Sequence, residues 1–135
     1  MNDEELKYKV NQAMYDLMTS TGVVAPVEVM QKVGVLTKEN YEKWRNGQVD
    51  YLARVCTCNL SKLSALMKEV RTFAKKNELK SSWAYYHGWA KAKDKKLRFS
   101  KSGDDIIERS YATSYISHKT VNELKSKKNV LLKLK

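Results

Sequence analysis

The chain is poor in the residues that punctuate or staple a fold. One proline and five glycines in 135 residues exclude a collagen-like, linker-rich or turn-dense all-β design. The two cysteines, Cys56 and Cys58, stand one residue apart. That is too close for an unstrained disulfide, so a disulfide scaffold is excluded and a reducing, cytoplasmic setting is expected. No run of 18 apolar residues occurs, which removes a membrane-spanning helix. The opening MNDEELKYKV has neither the cationic start nor the apolar stretch of a secretory signal. His87 and His118 are the only histidines. With the cysteines they make four potential zinc ligands, but the one-residue cysteine spacing suits a zinc knuckle poorly and the histidines lie far along the chain. Partly buried structural thiols are the expectation, with no metal and no cofactor implied.

What the chain has is length for one core and an excess of positive charge. With 42% hydrophobic and 30% charged residues it has the composition of a single globular domain. Its 26 Lys and Arg against 15 Asp and Glu give a net charge of +11. The excess is uneven. Residues 1–50 hold 6 basic and 8 acidic side chains, a net of −2, and residues 51–135 hold 20 and 7, a net of +13. Such an asymmetry suits a polyanionic partner for the C-terminal part, although a solvated lysine surface is the alternative.

The hydrophobic spacing reads as helix almost throughout. Asn2 or Asp3 caps a first helix with Leu6, Val10, Ala13, Met14 and Leu17 on one face. A short helix from Pro26 stops at Gly34, and Thr37 caps a third that stops at Gly47. Asp50 opens a fourth through Leu52 and Val55. The clearest element follows Asn59, with Leu60, Leu63, Leu66, Met67, Val70, Phe73 and Ala74 in one stripe. Ser81 and Ser82 are expected to cap another helix that packs Trp83, Tyr86 and Trp89 onto that stripe. Leu97-Arg98-Phe99 reads as a short strand or extended arm. Asp105 with Glu108 reads as a capping box for a helix through Ile106, Ile107 and Tyr111. The expected fold is mostly α: a compact multi-helix domain over 1–118, a helix-turn-helix-like hairpin within it, and at most a short strand or hairpin near 97–99. A basic helix or tail follows at 119–135.

Two segments carry chemistry. The first is PVEVMQKVGVLTKENYEKWRNG, residues 26–47. Two short helices around a glycine turn in 22 residues have helix-turn-helix length. The string from Gly34 through Tyr41, Trp44 and Gly47 to Val49 and Tyr51 resembles the excisionase and MerR-type winged helix-turn-helix. That resemblance implies that Thr37, Lys38, Asn40, Lys43 and Arg45 face DNA, that Tyr41 and Trp44 pack inward, and that a wing begins after Gly47. A helical hairpin that only packs is the other reading of the same residues. The strings WRNGQVDYL and LRFSKSGD are also similar to pieces of small bacterial and phage proteins without an assigned activity, which implies such an origin.

The second segment, KSSWAYYHGWAKAKDKKLRFSK at 80–101, holds five of the 13 aromatic residues and seven basic residues against Asp94 alone. Stacking faces interleaved with cations are what nucleic acid needs. The candidate contacts are Lys80, Tyr85, Lys91, Lys93, Lys95, Lys96, Arg98 and Lys101, joined by Lys43 and Arg45 from the first segment, with Tyr85 the ring expected to be exposed. Further on, Ser100-Lys101-Ser102-Gly103 before a helix start could cradle an anion on its backbone amides. Asp104, Asp105 and Glu108 could be imagined holding Mg²⁺ in a small nuclease, but capping explains them more economically. The expected function is therefore non-catalytic nucleic-acid binding, DNA ahead of RNA. The alternative is a protein-interaction module, an inhibitor or adaptor, that binds an acidic partner. No membrane partner is expected.

Overall fold

The first helix follows from its cap and its stripe. In α1 (Asp3–Ser20) the Asn2 side chain accepts the Glu5 amide at 2.8 Å, and Asp3, Glu4 and Glu5 fill the positive end of the dipole. Its buried Leu6, Val10, Ala13, Met14 and Leu17 lie along α4 (Leu60–Lys76), which offers Leu63, Leu66, Met67, Val70, Phe73 and Ala74 in return. Between these helices the chain makes β1 (Val23–Val24), α2 (Pro26–Val33) and α3 (Lys38–Arg45). Five of the eight residues of α2 are buried, so it runs through the interior. Gly34 ends it at φ +95°, a backbone that L side chains rarely adopt. Thr37 then caps α3 by accepting the Asn40 amide at 3.1 Å.

The computed structural model describes residues 1–133; Leu134 and Lys135, the end of the expected basic tail, lie outside the described residues. Among the described residues there are six α-helices and three short strands, so the fold is mostly α. The later elements are β2 (Lys80–Trp83), α5 (Asp105–Ala112), β3 (Thr113–Ile116) and α6 (His118–Lys133). The strands form one antiparallel sheet in the order β1-β3-β2, with Val23 and Lys80 both opposite Ile116 and Trp83 opposite Thr113. Helix α6 buries none of its residues. No helix among the described residues is long and apolar enough to cross a membrane.

Trp44 is the centre of the second half of the core. It is fully buried, donates its indole N–H to the Arg98 carbonyl at 2.8 Å, and lies 5.1 Å from the Phe99 ring and 5.6 Å from Tyr86. Phe99 in turn stacks on Tyr111 at 5.5 Å. The extended piece expected at 97–99 is present, with Leu97 and Phe99 buried and Arg98 exposed. It is a strap rather than a strand of the sheet. Leu97 donates to the Tyr86 carbonyl, while the carbonyls of Arg98 and Phe99 accept from Leu52 and Ala53.

Three local expectations are corrected. Ser81 and Ser82 do not cap a helix: Lys80–Trp83 is the edge strand β2, and all four residues are exposed. This stretch has no apolar stripe to bury as a helix, and pairing with β3, some thirty residues on, satisfies its backbone instead. Trp83 and Trp89 consequently lie at the surface, and the α4 stripe packs on α1, not on them. The segment opened by Asp50 is a single 3-10 turn, Leu52–Val55, whose first two amides go to the strap; Asp50 pairs with Arg54 at 2.9 Å. Finally, Asp104 caps α5 by accepting the Ile107 amide, and Glu108 does not fold back as a capping box. Glu108 is buried, accepting the amides of Phe99 and Ser100 at 2.8 Å each and the Ser100 hydroxyl at 2.6 Å.

Candidate nucleic-acid interface

The two charged segments, forty residues apart in sequence, meet in the fold. At the carboxyl end of α3 the Arg45 carbonyl accepts the Trp89 amide at 2.6 Å. From there residues 88–96 fold back on themselves. Gly88 donates to the Lys95 carbonyl, His87 bridges Lys96, and a 3-10 turn at Ala90–Ala92 closes the tip. The closure is tight. A Cβ on Gly88 would lie 2.2 Å from the Ala92 carbonyl oxygen, and one on Gly47 would lie 3.0 Å from the Ala92 methyl. Ala90 takes φ +50° at the tip, a strained left-handed backbone for an alanine.

This tip carries Lys91, Lys93, Lys95 and Lys96, all exposed. Among the described residues none of them has a carboxylate within ion-pair distance. Asp94, also exposed, is the only acid in the loop. Lys96 places its ammonium 3.4 Å from the centre of the Tyr85 ring, so Tyr85 is half-buried and covered. The more exposed rings are Trp83 and Trp89. Trp83 lies 5.2 Å from Tyr85 and is itself faced by Arg109 at 4.5 Å.

The remaining candidates are dispersed. Lys80 sits at the other end of β2, about 10 Å along the strand from Trp83. Arg98 is exposed and lies over the Tyr51 ring at 5.6 Å. Lys101 borders a separate cavity of about 560 Å³ with Leu60 and Ile107. Most of the helix-turn-helix set is engaged within the chain: Thr37 caps α3, Asn40 donates to the Val55 carbonyl, and Lys43 pairs with Glu39 at 3.3 Å. Lys38 alone in that set is exposed without a partner among the described residues. Between Gly47 and the 3-10 turn at Leu52–Val55 the chain forms no strand among the described residues, so no wing begins there.

Arg45 is the residue whose setting differs most from expectation. Its guanidinium carbon lies 5.9, 5.1 and 5.0 Å from the ring centres of Tyr41, Tyr86 and Trp89. Its Nε is buried without an acceptor. Beside it opens a cleft of about 520 Å³ between residues 82–88 and the end of β3, lined by Ser82, Tyr86, His87 and Ser114, of which Tyr86 and Ser114 are half-buried. Trp83, Trp89, His87, the two serines and Arg109 carried no sequence signal as a group. Only the pairing of β2 with β3 and the return of the loop onto α3 assemble them.

The other constellations close on themselves. Three amides of the 99–103 turn, those of Phe99, Ser100 and Gly103, and the Ser100 hydroxyl are occupied from inside. Glu108 supplies the anion, and the Ser100 and Ser102 hydroxyls accept from Gly103 and Asp104. Among the described residues no three His, Cys, Asp or Glu side chains converge as metal ligands. Burial, aided by the neighbouring Cys58, pushes the Cys56 thiol up to about 12, and burial also raises Cys58. Both therefore stay protonated at neutral pH, and thiols bind metals weakly in that form. No protein-family model, curated protein or solved structure matches this chain.

Proposed function

We propose that this protein binds nucleic acid, DNA ahead of RNA, through the lysine loop at 88–96 and the end of α3, and catalyses no reaction. The observation that carries the reading is the loop itself: four exposed lysines without acidic partners among the described residues, locked onto Arg45 and flanked by the exposed indoles of Trp83 and Trp89. Phosphates are neutralised by the lysines, and unpaired bases find ring faces beside them. DNA is placed ahead of RNA on the helix-turn-helix length of the α2–α3 hairpin alone. With most of its polar side chains engaged internally, it would position the protein on the backbone more than read base edges.

A salt titration tests this. Four phosphate contacts, from Lys91, Lys93, Lys95 and Lys96, give a log–log slope of about −3.6 on duplex and about −2.8 on a single strand. Reversing Lys91, Lys93 and Lys95 to Glu should weaken binding to every sequence alike. The duplex slope should flatten by about 2.7, and the melting temperature should barely change. Absence of binding at low salt, or a salt-independent affinity, overturns the reading.

A second reading, an acidic protein partner, is favoured by one feature. Leu60, Ile106 and Ile107 are exposed along the cavities between α4 and α5, and Lys101, Arg71 and Arg109 border those cavities. An apolar strip rimmed by cations fits a protein surface better than a phosphate backbone.

A further inference from the structure

Arg45 has five N–H donors, and none finds an acceptor. Among the described residues no carbonyl, hydroxyl or carboxylate accepts from its guanidinium, and its Nε is buried in that state. The enclosed Nε is out of reach of a ligand, but the two terminal amino groups are not buried and have no partner among the described residues. The rings of Tyr41, Tyr86 and Trp89 lie around the guanidinium within cation–π reach. They hold its stem and orientation without using a donor. A planar fork fixed in this way suits two oxygens of one anion.

The adjoining cleft fits the same ligand. No carboxylate is among its lining residues, while Ser82 and Ser114, opposite each other across β2 and β3, and His87 and Tyr86 offer further donors. No hydrogen bond to another residue occupies the hydroxyls of the two serines among the described residues. Burial raises the Tyr86 phenol above its ordinary value, so it stays a donor at neutral pH. At about 520 Å³ the cleft has the size of a small-molecule site.

We propose that this cleft binds a phosphomonoester, with Arg45 as its principal ligand and Ser82 and Ser114 as supporting donors, and that in the nucleic-acid complex it takes the terminal phosphate of a single strand. The second part rests on the nucleic-acid reading above. A terminal phosphate carries nearly two negative charges and three free oxygens, against one charge and two free oxygens for an internal phosphodiester. The site therefore distinguishes an end from the middle of a strand, which the lysine loop does not.

The experiment compares one single-stranded oligonucleotide in three forms, 5′-phosphorylated, 3′-phosphorylated and unphosphorylated, together with a nucleoside monophosphate and its nucleoside. Binding to the full chain is read by tryptophan fluorescence. One terminal phosphate should tighten strand binding by about tenfold, and the monophosphate should bind where the nucleoside does not. Arg45→Met, which keeps an apolar stem between the rings, should bring the ratio of phosphorylated to unphosphorylated affinity to about one. Ser82→Ala with Ser114→Ala, which spares the aromatic packing, should lower that ratio part of the way and serves if Arg45→Met fails to fold. Equal affinity for all three strands, together with no binding of the monophosphate, overturns the proposal while leaving the lysine-loop reading intact. Arg45-dependent binding of the monophosphate without binding of any strand upholds the phosphate site and overturns the nucleic-acid reading.

Discussion

Replacing Glu108 tests how the second half of the molecule is held together. Its carboxylate accepts two backbone amides at 2.8 Å and a hydroxyl at 2.6 Å, all buried or nearly so. In Glu108→Ala the amides of Phe99 and Ser100 keep no acceptor. Each such orphan costs about 1–3 kcal/mol, and the hydroxyl loses a charge-assisted bond. We expect a loss of about 4 kcal/mol, a large share of the stability of a domain this size, and a fall in Tm of about 12 °C. Glu108→Gln keeps the shape but turns one acceptor into a donor facing a donor, and should cost about 2 kcal/mol. Ser100→Ala should cost about 1 kcal/mol. The reading of Glu108 as a cap orders these differently, because a cap is worth only about 1 kcal/mol. That cost should fall on Asp104→Ala, with Asp105→Ala near zero. Urea denaturation followed by far-UV circular dichroism measures the series, and near-UV dichroism reports on Trp44, whose indole bonds to the strap that Glu108 anchors. If Glu108→Ala lies within about 0.5 kcal/mol of the parent, the internal-anion account is wrong.

Burial and backbone geometry set four further outcomes. Cys56, held up to about 12 against an ordinary value of 9.0, and Tyr111, held up to about 12 against 10.0, each bind a proton more tightly folded than unfolded. Their contribution is complete below pH 9, begins to fall above it and is lost as pH rises through about 12. Urea midpoints should therefore decline from pH 9 upward, and iodoacetamide should modify Cys56 far more slowly at pH 8 in the folded protein than in urea; equal rates would refute the burial of the thiol. Among the glycines, Gly34→Ala meets open space at φ +95°, so only backbone strain of about 1–2 kcal/mol is expected, with binding unchanged. Gly88→Ala instead meets the Ala92 carbonyl oxygen at 2.2 Å; the loop must open, and nucleic-acid affinity should fall with little loss in the unfolding midpoint of α1 and α4.

The sequence by itself determined the elements whose information is local. Caps and stops at Asn2, Gly34, Thr37 and Asn59 are written within four residues of the backbone groups they satisfy. The 3.6-residue stripes of α1 and α4 declare buried faces without naming their partner. The alternation of Leu97, Arg98 and Phe99 likewise announced an extended chain. Tertiary structure alone decided the rest, because those groups are satisfied by residues far away in the chain. KSSW has no periodicity of its own and became a strand only through TSYI at 113–116. Glu108 stood at a spacing that suits a cap, yet the buried amides of the strap offered it more hydrogen bonds than a cap would. Arg45 was legible as a cation at the end of a helix. Its aromatic enclosure and unpartnered donors arise only when Trp89 returns to its carbonyl and Tyr86 packs beneath it. A single chain does not encode locally what a closure across forty residues brings together, and the candidate site lies at such a closure.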